Sequence, residues 1–426
     1  MYRGSMSTMR GIGRRRERGA TAIIVALMMA VLIGFVGLAL DLGKLYVARS
    51  ELQNSADACA LAAARDLTGA INLSVSEAAG ITAGHLNYAV FQGTAVQLTT
   101  NNNVTFSDSL TNPFLPKNSV TSPGAIKYAK CTTSVTNIPN WFMQVLNLLP
   151  GVSVANASVS ATAVATVGSA QTTCAIPVFI CKAGTQTNPP TGGSYNVGDW
   201  IASKTGSPSF GAGNFGWAAL DGSNSANEVA SELTGNYCKL PATGASVGSP
   251  GNMVSATDAW NTRFGIYANP YSQTSGKGNT NNTATPDFTG YAYTTQNWTT
   301  GRDAYANFVS QRQKFSPYQG DSAIFPNGTS TKGSSSGTNY AAGADRRLAL
   351  APEVDCGQLL ATGSHSASVL AWDCVLMLDP MESGGNPGPV HLEYRGSSTA
   401  AGSPCATQGV PGSGSSVGPQ VPMLLQ

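Results

Sequence analysis

The chain has 426 residues, more than one typical domain of about 100–200 residues, and its hydrophobic fraction of 42% is enough for a packed core. The net charge is +2, but residues 1–19 hold six arginines and one glutamate, so this segment carries +5 and the remainder −3. A weakly acidic remainder excludes a phosphate-binding face of the usual kind, and we expect no nucleic-acid partner.

Residues 20–40 form an apolar stretch of 21 residues without a charge. As a helix this stretch is about 31 Å long, which matches a bilayer core of ~30 Å. Arginines precede it and Asp41 follows it, so the sequence predicts one membrane span with residues 1–19 in the cytoplasm. The alternatives are a buried core helix or a signal peptide cleaved near Gly37-Leu38-Ala39, and the uncharged length disfavours both.

The helix is predicted to continue past the membrane to residue 67, because no proline and no glycine follow Gly43 in this stretch. A stripe of apolar and small residues predicts helix packing against another helix or a sheet. Its main members are Leu45, Leu52, Ala56, Ala60 and Ala63. The alternative is two helices with a hinge near Gly43.

Three short motifs flank or follow the apolar stretch: Arg18-Gly19-Ala20, Asp41-Leu42-Gly43, and Arg-x-x-Leu-Gln-x-x-Ala-Asp-Ala at 49–58. Together they resemble the N-terminal region of the TadG-like (TadE/TadG) Flp pilus-assembly proteins. Prepilin peptidase substrates usually carry Glu at the fifth mature position. Counting from Gly19 that position is Ile24, so cleavage there is not predicted.

The resemblance implies a structural, pseudopilin-like component of a Tad pilus or secretion machine, and not an enzyme. It implies a bacterial inner-membrane location, with the bulk of the chain in the periplasm or outside the cell, for assembly or adhesion. The expected partners are the membrane and other pilin-like or Tad assembly subunits, contacted through the N-terminal helix.

The predicted fold class is α+β. Residues 41–168 are expected to form a pilin-like module of one helix and a small antiparallel sheet, with strands at 95–99, 103–106, 127–136 and 152–167 and a short helix at 140–149. Residues 169–405 are rich in Gly, Ser and Asn and predict a β-rich, disulfide-braced domain with strands at 175–181, 348–350, 369–378 and 390–394. Residues 406–426 are predicted to be a flexible tail.

Eight cysteines lie beyond the apolar stretch, on the side predicted to be oxidising. Cys174 and Cys181 are the most local disulfide candidates, and Cys356 is expected to pair with Cys374 or Cys405. Cys59 falls on the small-residue stripe and is interpreted as a buried free thiol. Zinc is the alternative reading, but the close C-x₂-C spacing that it prefers does not occur.

Catalytic motifs are weak. The three histidines, His85, His365 and His391, fall in no metalloprotease or hydrolase pattern, although a secreted hydrolase with an unrecognised site is an alternative. Asp221, Ser223 and Ser225 fit D-x-S-x-S, whose oxygen ligands suit Mg²⁺ or Ca²⁺ in von Willebrand A-type adhesion domains. The alternative, which the sequence favours, is an Asp-Gly-Ser turn, and no other cofactor is expected.

Overall fold

The computed structural model describes residues 18–67, 72–148, 150–184, 194–204, 216–235, 237–268, 270–271, 289–295, 297–314, 334–335, 346–362, 365–382 and 388–425. The chain forms two compact units. Unit 1 comprises residues 1–167 together with 422–426, and unit 2 comprises residues 168–421. The predictions for residues 1–17 lie outside the described residues.

Unit 1 is built on a single continuous helix, α1 (Arg18–Arg65), so the alternative of two helices with a hinge near Gly43 is wrong. A second helix, α2 (Ser74–His85), packs against the C-terminal half of α1. Glycines allow the close approach, because a Cβ added at Gly80 would lie 3.0 Å from the carbonyl oxygen of Cys59. The Ser76 hydroxyl donates to the Ala63 carbonyl at 2.6 Å and links the two helices.

The strands of unit 1 form an antiparallel sheet with the order β6-β5-β3-β4. The chain also makes a short pair between β1 and β2. In chain order the strands are β1 (Tyr88–Ala89), β2 (Thr94–Ala95), β3 (Val104–Ser107), β4 (Leu115–Pro116), β5 (Tyr128–Ile138) and β6 (Ala157–Thr172). Short 3-10 helices occupy Lys117–Ser119, Pro123–Ala125 and Met143–Leu148. Of the strand predicted at 95–99, only Ala95 is paired.

The core of unit 1 lies between α1 and one face of the sheet. Along β5, Ala129, Cys131 and Thr133 are buried and alternate with more exposed neighbours, as expected for a strand with one covered face. The Thr133 hydroxyl donates to the Leu52 carbonyl of α1 at 2.9 Å. A disulfide between Cys59 and Cys131 crosses the same interface, so the interpretation of Cys59 as a free thiol is wrong.

Among its described residues, unit 2 contains a six-stranded sheet. Five strands follow the order β7-β12-β13-β14-β8, and the sixth strand, β9, pairs with β13. Its strands pair antiparallel except for β7 with β12. The strands are β7 (Ile180–Cys181), β8 (Trp200–Ser203), β9 (Ser246–Val247), β12 (Leu348–Val354), β13 (Ala367–Met377) and β14 (Val390–Ser397). A separate short pair joins β10 (Ile266–Tyr267) to β11 (Ser334–Ser335). The strand predicted over 175–181 is limited to its last two residues.

In the described part of unit 2, four helices accompany this sheet: α3 (Ala226–Thr234), α4 (Ala256–Asn261), α5 (Tyr305–Gln313) and α6 (Cys356–Thr362), with a 3-10 turn at Thr262–Phe264. Buried arginines connect them to the sheet. Arg347 lies between the rings of Phe264 and Phe308 and donates to the Met377 carbonyl. A buried guanidinium is tolerated because backbone carbonyls accept its hydrogen bonds.

The three disulfides of unit 2 are Cys174–Cys238, Cys181–Cys356 and Cys374–Cys405. The local pair Cys174–Cys181 is therefore wrong, and so is the pairing of Cys356 with Cys374 or Cys405. Cys181 ends β7 and Cys356 begins α6, and the parallel pairing of β7 with β12 brings these positions together. Sequence proximity did not indicate this long-range contact.

The prediction of a flexible tail at 406–426 is corrected by two further strands, β15 (Ala406–Pro411) and β16 (Gln420–Leu424). Within unit 2, β15 pairs with the end of β6. Within unit 1, the Leu425 amide donates to the Val164 carbonyl of β6 at 2.9 Å. The α+β class, with a long apolar helix followed by sheets and disulfides, is confirmed.

Candidate membrane anchor and assembly helix

The N-terminal half of α1 exposes its apolar side chains on all sides. Large hydrophobic residues between positions 23 and 40 are mostly more than half exposed, among them Leu27, Ile33 and Phe35. Within the described part of the chain, α1 is the helix long and apolar enough to cross a membrane, with a mean hydropathy of 2.9 in its most apolar window. An apolar surface of this extent is stable only where lipid or protein covers it.

The C-terminal half of α1 buries one face, which contains Leu52, Ala56, Ala60 and Ala63 and departs from the predicted stripe only at its first turn. The buried positions begin at Asp41, Lys44 and Ala48 and then continue through Leu52 and Ala56. Leu45 is only half-buried, because the buried face passes to one side of it. The sequence pattern missed this first turn because its buried residues Asp41 and Lys44 are charged.

The predicted packing residues of this stripe lie inside unit 1. Leu52, Ala56, Ala60 and Ala63 are fully buried in the core of unit 1, which also holds Ala163 of β6. Their small side chains allow the helix backbone to approach the sheet. These four residues are thus covered by this chain itself.

An exposed flank of α1 remains beside the buried face. Leu42 is 55% and Tyr46 76% exposed, and with Leu45 they line a shallow groove that is closed on its other side by residues 158–160 of β6. Arg49 lines the same groove. This surface joins apolar side chains to one cation and has the character of a protein-contact site.

Where the helix leaves the apolar stretch, buried polar groups hold a turn that the sequence analysis read only as a short helix. We call residues 139–148 the membrane-proximal turn. The Asp41 carboxylate accepts the amides of Phe142 at 3.0 Å and Met143 at 2.8 Å. Lys44 donates to the Pro139 carbonyl at 3.1 Å, and its Nζ lies 3.9 Å from the centroid of the Trp141 ring.

Sequence reasoning did not assign a role to Asp41 or Lys44 in this turn. Asp41 was read only as the charge that ends the span, although carboxylates commonly accept the free amides at the start of a helical turn. The available signal was a charged residue at helical spacing from Ala48 and Leu52. Its partners, about a hundred positions later, could not be read from the sequence.

The D-x-S-x-S motif forms local structure. The Asp221 carboxylate accepts the Ser223 amide at 2.8 Å, and the Ser225 hydroxyl accepts the Glu228 amide at the start of α3 at 3.1 Å. These are the bonds of an Asx turn and a helix cap. No group of three His, Cys, Asp or Glu side chains is placed to hold a metal ion in the described part of the chain.

A buried carboxyl lies close to this motif. Glu232 of α3 is 3% exposed. Burial, reinforced by the charges of Asp221 and Glu228, raises the pKa of Glu232 from 4.5 to about 8. At neutral pH this carboxyl is therefore largely protonated, which suits a structural position better than a cation ligand.

The features of α1 define a class of protein with a single N-terminal apolar helix that continues into a folded module. Residues 19–66 match the family model described as "Putative Flp pilus-assembly TadE/G-like". This match confirms the resemblance of the helix to the TadG-like family, supports a role in pilus assembly, and favours a structural role over a catalytic one. Comparison with curated proteins and with solved structures found no match.

Proposed function

We propose that this protein is a single-pass, membrane-anchored structural component of a Tad/Flp-type pilus or secretion machine. In this proposal, residues 1–19 lie in the cytoplasm and residues 20–40 cross the bacterial inner membrane. The two units then lie in the periplasm. The observation that carries the proposal is the family match over residues 19–66, which coincides with the one helix able to span a membrane among the described residues.

Two properties of the chain support this orientation. The arginines of residues 1–19 precede the apolar stretch, and basic residues next to a span are retained on the cytoplasmic side. All eight cysteines follow it and are paired as four disulfides, which persist in an oxidising compartment such as the periplasm.

We assign the contact with other pilin-like subunits to the exposed flank of α1 formed by Leu42, Leu45 and Tyr46. Leu52, Ala56, Ala60 and Ala63 are already covered by unit 1, so they are not free to bind a partner helix. The flank is apolar, carries an exposed aromatic residue and lies just beyond the apolar stretch. A parallel helix anchored in the same membrane would meet it at the same height.

The first experiment is the mass of the N-terminus of the protein isolated from its native membrane. We expect an intact arginine-rich segment, because Ile24 replaces the acidic residue of prepilin peptidase substrates. A chain starting at Ala20 would instead show pilin-type processing and entry into the filament. A chain starting near Leu40 would show a secreted protein and would overturn the proposal.

The second experiment tests assembly through the flank. In the producing bacterium, Tyr46→Glu is expected to reduce both the number of surface pili and the recovery of pilin-like subunits with this protein. Asn54→Glu, at an exposed position two turns further along α1, serves as the matched control. Normal piliation in a strain that lacks the whole protein would refute the pilus role. Normal piliation with Tyr46→Glu alone would refute only the assigned flank.

A further inference from the structure

The membrane-proximal turn packs against the part of α1 that lies inside the apolar stretch. Ile33 and Gly37 of the helix line one apolar groove together with Phe142 and Val145 of the turn. The two backbones are close, since a Cβ added at Gly37 would lie only 2.6 Å from the Cβ of Phe142. Glycine at position 37 is what permits this contact.

The height of this contact along the helix follows from helix geometry. Gly37 lies four residues before Asp41, and Ile33 lies eight residues before it. At 1.5 Å per residue these positions are about 6 and 12 Å deeper along the axis than Asp41. If residues 20–40 cross the bilayer, the side chains that touch Ile33 and Gly37 therefore lie at the depth of the headgroups and upper acyl chains.

The chemistry of the turn suits that depth. Its sequence contains no charged residue, and three of its exposed side chains are apolar: Trp141 is 64%, Phe142 43% and Val145 60% exposed. The exposed amides of Gln144 and Asn147 donate to Asn156 and to the Val154 carbonyl. Tryptophan is enriched at membrane interfaces because its ring is apolar and its N–H is polar. The Lys44 ammonium over the Trp141 ring places a cation where anionic headgroups would lie.

A backbone segment enters lipid only when its polar groups have partners. The turn meets this condition at its first amides. Asp41 accepts the amides of Phe142 and Met143, the Gln144 amide donates to the Asn140 carbonyl at 3.0 Å, and the Val145 amide donates to the Phe142 carbonyl at 3.2 Å. The buried Asp41 and Lys44 thus explain how an apolar turn can enter the interface beside the helix.

We propose that the membrane-proximal turn inserts Trp141, Phe142 and Val145 into the outer leaflet of the membrane that α1 crosses, and so forms a second contact with lipid. The argument for lipid as the occupant is the continuity of this surface with the exposed apolar half of α1. The inference rests on the proposed membrane span. It adds that unit 1 is held against the bilayer and does not hang freely from the helix.

The test uses the full-length protein reconstituted in phosphatidylcholine–phosphatidylglycerol vesicles whose acyl chains are brominated near the headgroup. Bromine quenches tryptophan fluorescence only over short distances. The emission of Trp141 is taken as the difference between the natural chain and Trp141→Phe, which leaves the other five tryptophans unchanged. We expect this difference emission to be quenched by at least twofold in brominated vesicles and to be insensitive to iodide in the aqueous phase.

A control variant separates the two proposals. Leu38→Trp in the Trp141→Phe background reports on the helix itself, and its emission is expected to be quenched by brominated lipid. Quenching at position 38 without quenching at Trp141 would overturn the lipid contact and leave the span intact. Quenching at neither position would overturn both the lipid contact of the turn and the membrane span of the helix.

The same measurements distinguish a protein occupant. Emission from Trp141 that is insensitive to both brominated lipid and iodide would mean that protein, either this chain or a second copy of it, covers the turn, which also refutes the proposal. Retained protease resistance of Trp141→Phe confirms that the variant is folded, as expected for an exposed side chain.

Discussion

Unit 1 and unit 2 are stabilised in different ways. Unit 1 relies on close backbone packing, in which alanines of α1 and glycines of α2 let helices and sheet approach, with one disulfide across the interface. Unit 2 relies on three disulfides, a larger sheet and arginines buried against carbonyl groups. The difference shows that the unit joined directly to the span uses a helix as its core, whereas the more distal sequence is held by cross-links between distant segments.

The largest expected effect is the loss of a cross-link in unit 2. Cys181→Ser with Cys356→Ser opens a link between positions 175 residues apart, whereas Cys374→Ser with Cys405→Ser opens one between positions 31 apart. Removing a disulfide typically costs about 2–5 kcal/mol, and the chain-entropy formula makes the first pair the larger loss by about 1.5 kcal/mol. Thermal unfolding of both double variants in detergent measures the two losses of stability. Equal losses would contradict the predicted difference.

The next effect tests close packing in unit 1. Ala60→Leu places a large side chain at a fully buried position of α1, and we expect a loss of about 1–3 kcal/mol from overpacking. Ala78→Leu, at an exposed position of α2, should change the free energy of unfolding little. Denaturant unfolding followed by protease cleavage within unit 1 gives both values. If Ala60→Leu lowers the free energy of unfolding no more than Ala78→Leu does, the packing around position 60 is loose.

A comparable effect, of about 3 kcal/mol between pH 5.5 and 7.5, is a pH dependence in unit 2. Because the pKa of Glu232 is raised to about 8 in the fold, the folded state keeps its proton while the unfolded chain loses it above pH 4.5. Stability contributed by this carboxyl is therefore present at low pH and lost as the pH rises toward 8, by about 1.4 kcal/mol per pH unit. Glu232→Gln should lower the slope between pH 5.5 and 7.5 by this amount, and Glu382→Gln should not. A further contribution should remain from Asp373, because burial also raises its pKa to about 8. An unchanged slope in Glu232→Gln would assign the dependence to other groups.

The smallest effect concerns the hydrogen bond between helix and sheet in unit 1. Thr133→Val keeps the side-chain shape but removes the hydroxyl that donates to the Leu52 carbonyl, and we expect a loss of about 1 kcal/mol. Thr132→Val, on the more exposed side of β5, is the matched control. Hydrogen exchange of the α1 amides near Leu52 should rise only in the first variant.

Sequence periodicity predicted the elements with a regular pattern and large apolar residues. Helix α1 was predicted from its uncharged stretch and β6 from its alternating face, and strands were also predicted at β5, β13 and β14. Helix α2 was missed because its sequence contains Gly80 and Gly84 and few large apolar residues. Its stability comes from packing on α1, which is a tertiary effect.

The site was predictable only in part for a similar reason. The span and the family resemblance could be read from residues 18–58, because both depend on local sequence. Only the start of the buried face of α1 was missed, because Asp41 and Lys44 are buried through partners near position 140. The predicted disulfide pairs were wrong for the same reason, since each observed pair joins segments that only the folded chain brings together.

The strand β16 has a consequence for the order of folding. Gln420 reaches Ser169 across 251 positions, and Leu425 bonds to Val164 of unit 1. A chain synthesised from its N-terminus delivers α1 first, but the sheet containing β6 stays incomplete until residues 420–425 have also been made. Until then the edge of β6 that faces away from β5 is unpaired and open to other strands, so aggregation of the incomplete chain is most favoured in this interval.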